Sequence, residues 1–475
     1  MRQGWFHLAT GAGVGRVVGF ASNLFLSRWL GPTQLGLFNL VTTTVQTSDT
    51  LVRCGGDYAL NFELGGHPQL IQTERGVGLA RGFVHICTLT TVLICGAILI
   101  GICSGQIMIP IPFVSSHRLL LIALLLTIIA CEGLSASAWE ILLVSHRTAE
   151  LALRQGLFFP LRLILAAFGA LFLGIWGAIW GLSIVALAQC VWLKIVIGNL
   201  WTPLKIFPFS LVNVLHLLKR GLPFYFSNIL SALVFYPLLV TVANSSGLAE
   251  IGYLRVGQVL QQLFAFIPAT LAPVLFLRLR SESSFENQVA ATEQPFRIIW
   301  LVLIQVLIVY CVIDHYFIEW LFGPGFSSAL LPTRLLLVTA LLECLAQLLV
   351  QPLLAAGKIG LYGFWQNIAA LLSACLGWIW IPTGGLPVYL IVRLIYVTIP
   401  LAAFAIAVVK QMRHPKRLLV LLLTTSGLVG IMVFQVLHEV RTELFPVSLI
   451  LTSVITIVCY RNDLVDIYRT LKVKT

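Results

Sequence analysis

Four sets of polar residues sit inside otherwise apolar stretches of this 475-residue chain, and each set repeats at a helical spacing. Arg16, Asn23 and Ser27 fall at i, i+7 and i+11, and Thr42, Gln46, Asp49 and Arg53 form a second stripe. Arg255, Gln258 and Gln262 make a third, and Glu343, Gln347 and Gln351 a fourth. At 3.6 residues per turn each set shares one helix face. A guanidinium is a planar fork that grips oxyanions by paired charge-assisted hydrogen bonds, which lysine does less well. The amides of Asn23, Gln46, Gln258 and Gln262 suit hydroxyl groups, and the carboxyls of Asp49, Glu132, Glu140 and Glu343 are the groups that would hold a coupling proton or sodium ion. A plainer reading stands beside this one: Asp49 and Arg53, at i and i+4, neutralise each other, and the glutamines join neighbouring helices. No phosphate loop of the form GxxxxGK[ST] and no HExxH occurs, so neither a cofactor nor direct use of ATP is expected. The ten cysteines lie singly in apolar runs with no Cys/His clusters, which predicts no metal site and no disulfide framework.

The elements that must carry these stripes are membrane helices. Hydrophobic residues make up 59% of the chain and charged ones 10%, with a mean hydropathy of +0.97; water-soluble domains carry about 25% charged residues. Without water to satisfy the backbone, a span must be a helix or a closed barrel, and runs of roughly 20 apolar residues exclude barrel strands. The fold class expected is an all-α polytopic membrane protein of about 14 spans, from Trp5–Leu30 and Gly36–Cys54 through Ile251–Leu277 to Leu418–Leu437 and Phe445–Tyr460. The first stretch is too long for a cleavable signal and is interrupted by Arg16 and Asn23. Arg75, Arg81, Arg147, Arg154, Lys194, Lys219, Arg220, Lys358 and the basic cluster from Lys410 to Arg417 fall on one side, which predicts both termini in the cytoplasm. The net charge of +12 and pI near 9.4 are therefore a topology signal directed at anionic lipid, and no nucleic-acid partner is expected.

The chain also repeats itself. Leu30-Gly31-Pro32 with Gly36 is answered by Ser246-Gly247-Leu248 with Gly252, and Leu142–Arg147 by Leu353–Lys358, at nearly equal offsets. Residues 1–200 and 221–410 then form parallel repeats of six spans each, joined by a cytoplasmic amphipathic linker over 201–220, with 411–475 adding two spans and a tail. Parallel repeats imply a pseudo-two-fold axis along the membrane normal and a central cavity between two bundles.

Arg28-Trp29-Leu30-Gly31-Pro32 with Leu35-Gly36-Leu37-Phe38 resembles the opening signature of polysaccharide-transport flippases, within the multidrug/oligosaccharidyl-lipid/polysaccharide exporter superfamily. Leu218–Phe224, Ile251–Val256, Leu321–Phe326 and Leu354–Lys358 resemble further motifs of that family in the same order, over most of the chain. One departure is that Pro237–Val242 carries no acidic residue where many members have one in the seventh helix. The resemblance implies two six-helix bundles around a cavity, and movement of a polyprenyl-diphosphate-linked oligosaccharide across a bacterial inner membrane for O-antigen, capsule or exopolysaccharide assembly. Arg16 and Arg255 would then meet the diphosphate, with Asn23, Gln46, Gln258 and Gln262 on sugar hydroxyls, and Asp49, Arg53 and Glu343 as cavity charges or ion-coupling groups. The partners implied are the lipid-linked oligosaccharide, membrane lipids, a polysaccharide polymerase and glycosyltransferases. The rivals are a cation-coupled multidrug exporter, whose cavity should be more acidic and aromatic, and a membrane-embedded glycosyltransferase or ligase. The latter needs a catalytic cluster on a substantial exterior loop, and the exterior loops near Ser104–Arg118 and Glu319–Arg334 are short and mostly apolar.

Overall fold

The computed structural model describes residues 2–64, 68–103, 118–198, 201, 211–280, 282 and 284–409. These form twelve α-helices and no strand: α1 (Arg2–Arg53), α2 (Gly56–Leu64), α3 (Glu74–Cys103), α4 (Arg118–Val144), α5 (Thr148–Leu153), α6 (Phe159–Ile197), α7 (Leu211–Ser246), α8 (Leu248–Phe264), α9 (Phe266–Arg280), α10 (Phe285–Phe322), α11 (Leu330–Ala355) and α12 (Ile359–Val409). The chain is an all-α, multi-pass membrane protein. Among the described residues seven helical stretches are long and apolar enough to cross a bilayer: Glu74–Gly101, Leu119–Val144, Ala149–Ile197, Tyr225–Ser246, Phe285–Phe322, Pro324–Ala355 and Gly360–Val409. The spans expected at Leu418–Leu437 and Phe445–Tyr460 lie outside the described residues.

Three of the longest helices are pairs of arms. α1 turns at Gly31 (φ 66°), α6 at Gly174 (φ 58°, ψ −140°) and α12 at Gly385 (φ 57°, ψ −142°). The arms of α1 correspond to the first two expected spans. Elsewhere the structure departs from the hydropathy reading. The eighth expected span is broken at Ala265, between α8 and α9, and the fifth carries a π-helical turn at Arg154–Phe158. The stretch Glu319–Arg334, expected as an exterior loop, is helical almost throughout, with a 3-10 turn at Pro324–Ala329. Leu211–Arg220, expected as part of a separate linker, is the start of α7 and runs without a break into the span. An apolar helix continues as long as its own i→i−4 bonds can form, so hydropathy finds where the membrane ends, not where the helix does.

Contacts divide the described chain into two units. The first holds the residues up to Val259 with Leu321–Phe326 and Ala370–Leu386; the second holds Leu260–Trp320, Ser327–Ala369 and the described residues from Pro387 onward. In the first unit Phe83, Trp139, Leu142, Leu193 and Leu217 form a buried apolar cluster joining α3, α4, α6 and α7. The start of α7 is fastened to it by polar contacts as well. Glu63 of α2 takes Arg75 (3.3 Å), His216 (3.1 Å) and Arg220, and the Tyr225 hydroxyl donates to the Thr50 carbonyl at 2.6 Å.

Local geometry recurs along the chain at a fixed offset. His146 (φ 55°) and Gly357 (φ 72°) end helices in the same left-handed turn: Arg147 N–H donates to Leu142 O and Lys358 N–H to Leu353 O. The offset is 211 residues (146 to 357), as for the kinks at 174 and 385. In the first unit, α1 and α8 also meet reciprocally. A methyl group on Gly36 would lie 1.8 Å from the Leu248 carbonyl oxygen, and one on Gly252 would lie 2.0 Å from that of Pro32. Residues 32 and 36 are each 216 positions before 248 and 252, so the crossing is the self-complementary kind that a two-fold axis produces.

Candidate functional site

Three residues past each of these glycines, on the same helix faces, stand Asn39 and Arg255. The crossing brings them together. Arg255 is 8% exposed; its Nη2 donates to Asn23 Oδ1 at 2.9 Å and its Nη1 lies 3.5 Å from Asn39 Oδ1. Both asparagines are themselves anchored, Asn23 Nδ2 to the Gly19 carbonyl (2.7 Å) and Asn39 Nδ2 to that of Ile251 (3.3 Å). The Arg255 Nε is buried with no hydrogen-bond partner, and among the described residues Arg255 makes no ion pair. A buried guanidinium held by two neutral amides retains its full charge, a costly arrangement unless an anion arrives to share it.

Of the residues expected to bind substrate, Asn23 and Arg255 are therefore in contact, with both ends of the Asn23 amide engaged. Arg16 is half-buried on the same arm, two turns before Asn23. Gln258 is half-buried, and Gln46 and Gln262 are exposed. Asn39, fully buried, continues the register of the second stripe by one turn, three residues before Thr42 and seven before Gln46. Besides that register, the repeat signals it: position 39 is the counterpart of 255 at the same offset of 216 (39 to 255) that relates Gly36 to Gly252.

The second stripe forms a larger network in the first unit. Arg53 reaches Asp49 (3.1 Å), Glu140 of α4 (3.0 Å) and Asp57 of α2 (3.9 Å), and Asn61 donates to the other oxygen of Glu140 at 2.9 Å. The pair Asp49–Arg53 is thus part of a cluster in which three carboxylates converge on one guanidinium. The Arg154 guanidinium lies nearby, 5.0 Å over the Trp139 ring. Burial, and then the charge of Glu140, push the Asp57 carboxyl up to about 6 from its ordinary 3.8, with Arg53 only partly offsetting them. Asp57 lies in α2, beyond the second span. The folded protein holds this proton more tightly than the unfolded chain does. Its contribution to stability is present below the ordinary carboxyl pKa and is lost as pH rises through about 6. Asp57→Asn should flatten the fall in Tm between about pH 4 and pH 6; a curve matching the parent's would show that this proton is not linked to folding.

In the second unit, Glu343 accepts from Gln261 Nε2 at 2.9 Å and pairs with Arg393 at 3.6 Å. Gln351 bonds back to the carbonyl of Gln347 (2.8 Å), and Gln366 donates to the Tyr396 hydroxyl (2.7 Å). Glu132, the counterpart of Glu343 at the offset of 211 (132 to 343), pairs with Arg162 at 2.6 Å in the first unit. All three carboxyls considered for ion coupling in α4 and α11, Glu132, Glu140 and Glu343, are thus held by arginines. A cation binding at any of them must compete with a guanidinium.

No protein-family model matches the chain, and no curated protein matches its sequence. Solved structures do match. The lipid II flippase MurJ in an inward closed conformation superposes with a TM-score of 0.69 at 14% identity, covering 96% of this chain and 99% of that one. A multidrug resistance MATE family transporter of the MOP superfamily, outward-facing, gives 0.59 at 15% identity over 86% and 96%. A MOP superfamily transporter from Pyrococcus furiosus, described as having a binding pocket of reverse polarity, gives 0.60 at 14% identity over 86% and 96%. The chain has the fold these transporters share.

Proposed function

We propose that the protein is a flippase that carries a polyprenyl-diphosphate-linked oligosaccharide across a bacterial inner membrane by alternating access, for cell-surface polysaccharide assembly. The observation that carries this reading is Arg255, a buried cation whose described partners are two neutral amides. A lipid diphosphate supplies the missing negative charge, and Arg16 joins it from the same arm as Asn23. Gln46, Gln258 and Gln262 meet the sugar hydroxyls. The fold shared with a lipid II flippase supports the substrate class, and the basic residues near span ends support cytoplasmic termini. A polymerase and glycosyltransferases act on the same lipid and are its natural partners. Coupling is to a proton or sodium gradient, with Glu343 the acidic group engaged.

The test is translocation of a fluorescent polyprenyl-diphosphate oligosaccharide in proteoliposomes, with and without a proton or sodium gradient, beside uptake of a lipophilic cation dye. The parent should move the lipid and not the dye. Arg255→Ala should reduce lipid transport by about 10- to 100-fold, the worth of a charge-assisted phosphate contact. Dye transport without lipid flipping would overturn the proposal in favour of a cation-coupled multidrug exporter; another structural neighbour is a multidrug resistance transporter.

A further inference from the structure

We infer that Asn39 is a positioning and charge-selecting residue for the anion site at Arg255: it orients the guanidinium while leaving its charge available to the ligand. This deepens the proposed reading and rests on it.

The geometry has three parts. First, the reciprocal contact of Gly36 with Leu248 and of Gly252 with Pro32 sets the backbone separation where α1 crosses α8, and Asn39 and Arg255 follow three residues later on the touching faces. Second, Asn39 is fully buried and cannot swing away: its Nδ2 is held by the Ile251 carbonyl, which turns Oδ1 toward Arg255 Nη1. Third, three other arginines of these helices are met by carboxylates. Arg53 is matched by Asp49, Asp57 and Glu140, Arg162 by Glu132 and Arg393 by Glu343. An aspartate at position 39 would have nearly the shape of asparagine and would form the same kind of pair. Asparagine keeps the hydrogen-bond acceptor and omits the charge, so the counter-ion must come from outside the protein. Because positions 39 and 255 are counterparts in the repeat, the site has one cation and one neutral amide where a symmetric ancestor would have carried two copies of one residue. That asymmetry suits a single anionic head group bound at the crossing.

The experiment compares the parent with Asn39→Asp, Asn23→Asp and Arg255→Ala, purified as full chains in nanodiscs. Binding of geranyl diphosphate is measured across a pH series, with Tm recorded in parallel. Asn39→Asp should keep or raise the Tm, because it completes an ion pair, and should weaken binding at least about tenfold at neutral pH. The loss should persist across the series down to about pH 5, because the Arg255 guanidinium holds the new carboxyl in its ionised form. Asn23→Asp, which places the same charge on the other side of the guanidinium, should behave alike and serves if Asn39→Asp fails to fold. If Arg255→Ala loses binding while both aspartate variants bind like the parent, the role of Asn39 is overturned and the Arg255 site stands. If Arg255→Ala itself binds like the parent, the anion site and this inference fall together.

Discussion

Alanine at Gly36 or at Gly252 is expected to destabilise the protein by about 3 kcal/mol or more, at the upper end of what overpacking costs. The added methyl group would meet a carbonyl oxygen of the facing helix at 1.8 Å in one case and 2.0 Å in the other. Neither oxygen can rotate out of the way, because each belongs to a helix backbone. The two helices must instead separate by more than about 1 Å, forfeiting the dispersion contacts on either side of the crossing. Separation relieves both clashes together. The double variant should therefore cost clearly less than the sum of the single ones, a coupling expected of residues that share one displacement. Gly96→Ala in α3 is the control: open space surrounds that position, so alanine should be neutral or stabilising by up to about 1 kcal/mol through helix propensity. The measurement is thermal or denaturant unfolding in detergent. Gly36→Ala with the parental Tm would mean that the crossing is looser than its geometry and would remove the constraint that aligns Asn39 with Arg255.

The glycine pattern was the part of this site most legible from sequence, and the reason is steric. A tight turn and a close backbone approach admit few residues besides glycine, so Gly31, Gly36, Gly247 and Gly252 announced both their conformation and their repetition. The helical class was equally legible, since a bilayer leaves the backbone no alternative at this hydropathy. What the stripes hid was partnership. Arg53 and Glu140 are 87 positions apart, and Glu343 and Arg393 are 50 apart (343 to 393). Helical periodicity describes one face of one helix and says nothing of which face lies opposite. Asn39 was missed for a related reason: it extends the face of Thr42 and Gln46 by one turn, but that face does not say what lies opposite, and only its place in the repeat ties it to Arg255. The break at Ala265 and the continuity of Leu211–Arg220 with α7 were also invisible, because neither alters the hydropathy of its window.

Removing the guanidinium that Asp49, Asp57 and Glu140 share should have an effect of similar size and opposite origin. Arg53→Ala leaves Asp49, Asp57 and Glu140 converging on a vacancy in a region where the side chains involved are 29% exposed or less. Breaking a buried ion pair from one side costs about 3–5 kcal/mol, mostly as the uncompensated charge that stays behind. Arg53→Lys should recover only part of this, because a single ammonium cannot serve Asp49 through Nε and Nη2 while serving Glu140 through Nη1. The origin of the loss can be separated from lost packing by a second substitution. Arg53→Ala combined with Glu140→Gln removes one of the stranded charges and keeps a hydrogen-bonding partner for Asn61, so it should be more stable than Arg53→Ala alone. Acid pH should act in the same direction, since Asp57 already takes up its proton near pH 6 with Arg53 in place. If neither the second substitution nor acid restores stability, the cost comes from the cavity and not from charge. In that case the three carboxylates are satisfied without Arg53, and the network has no electrostatic hold on the end of α1.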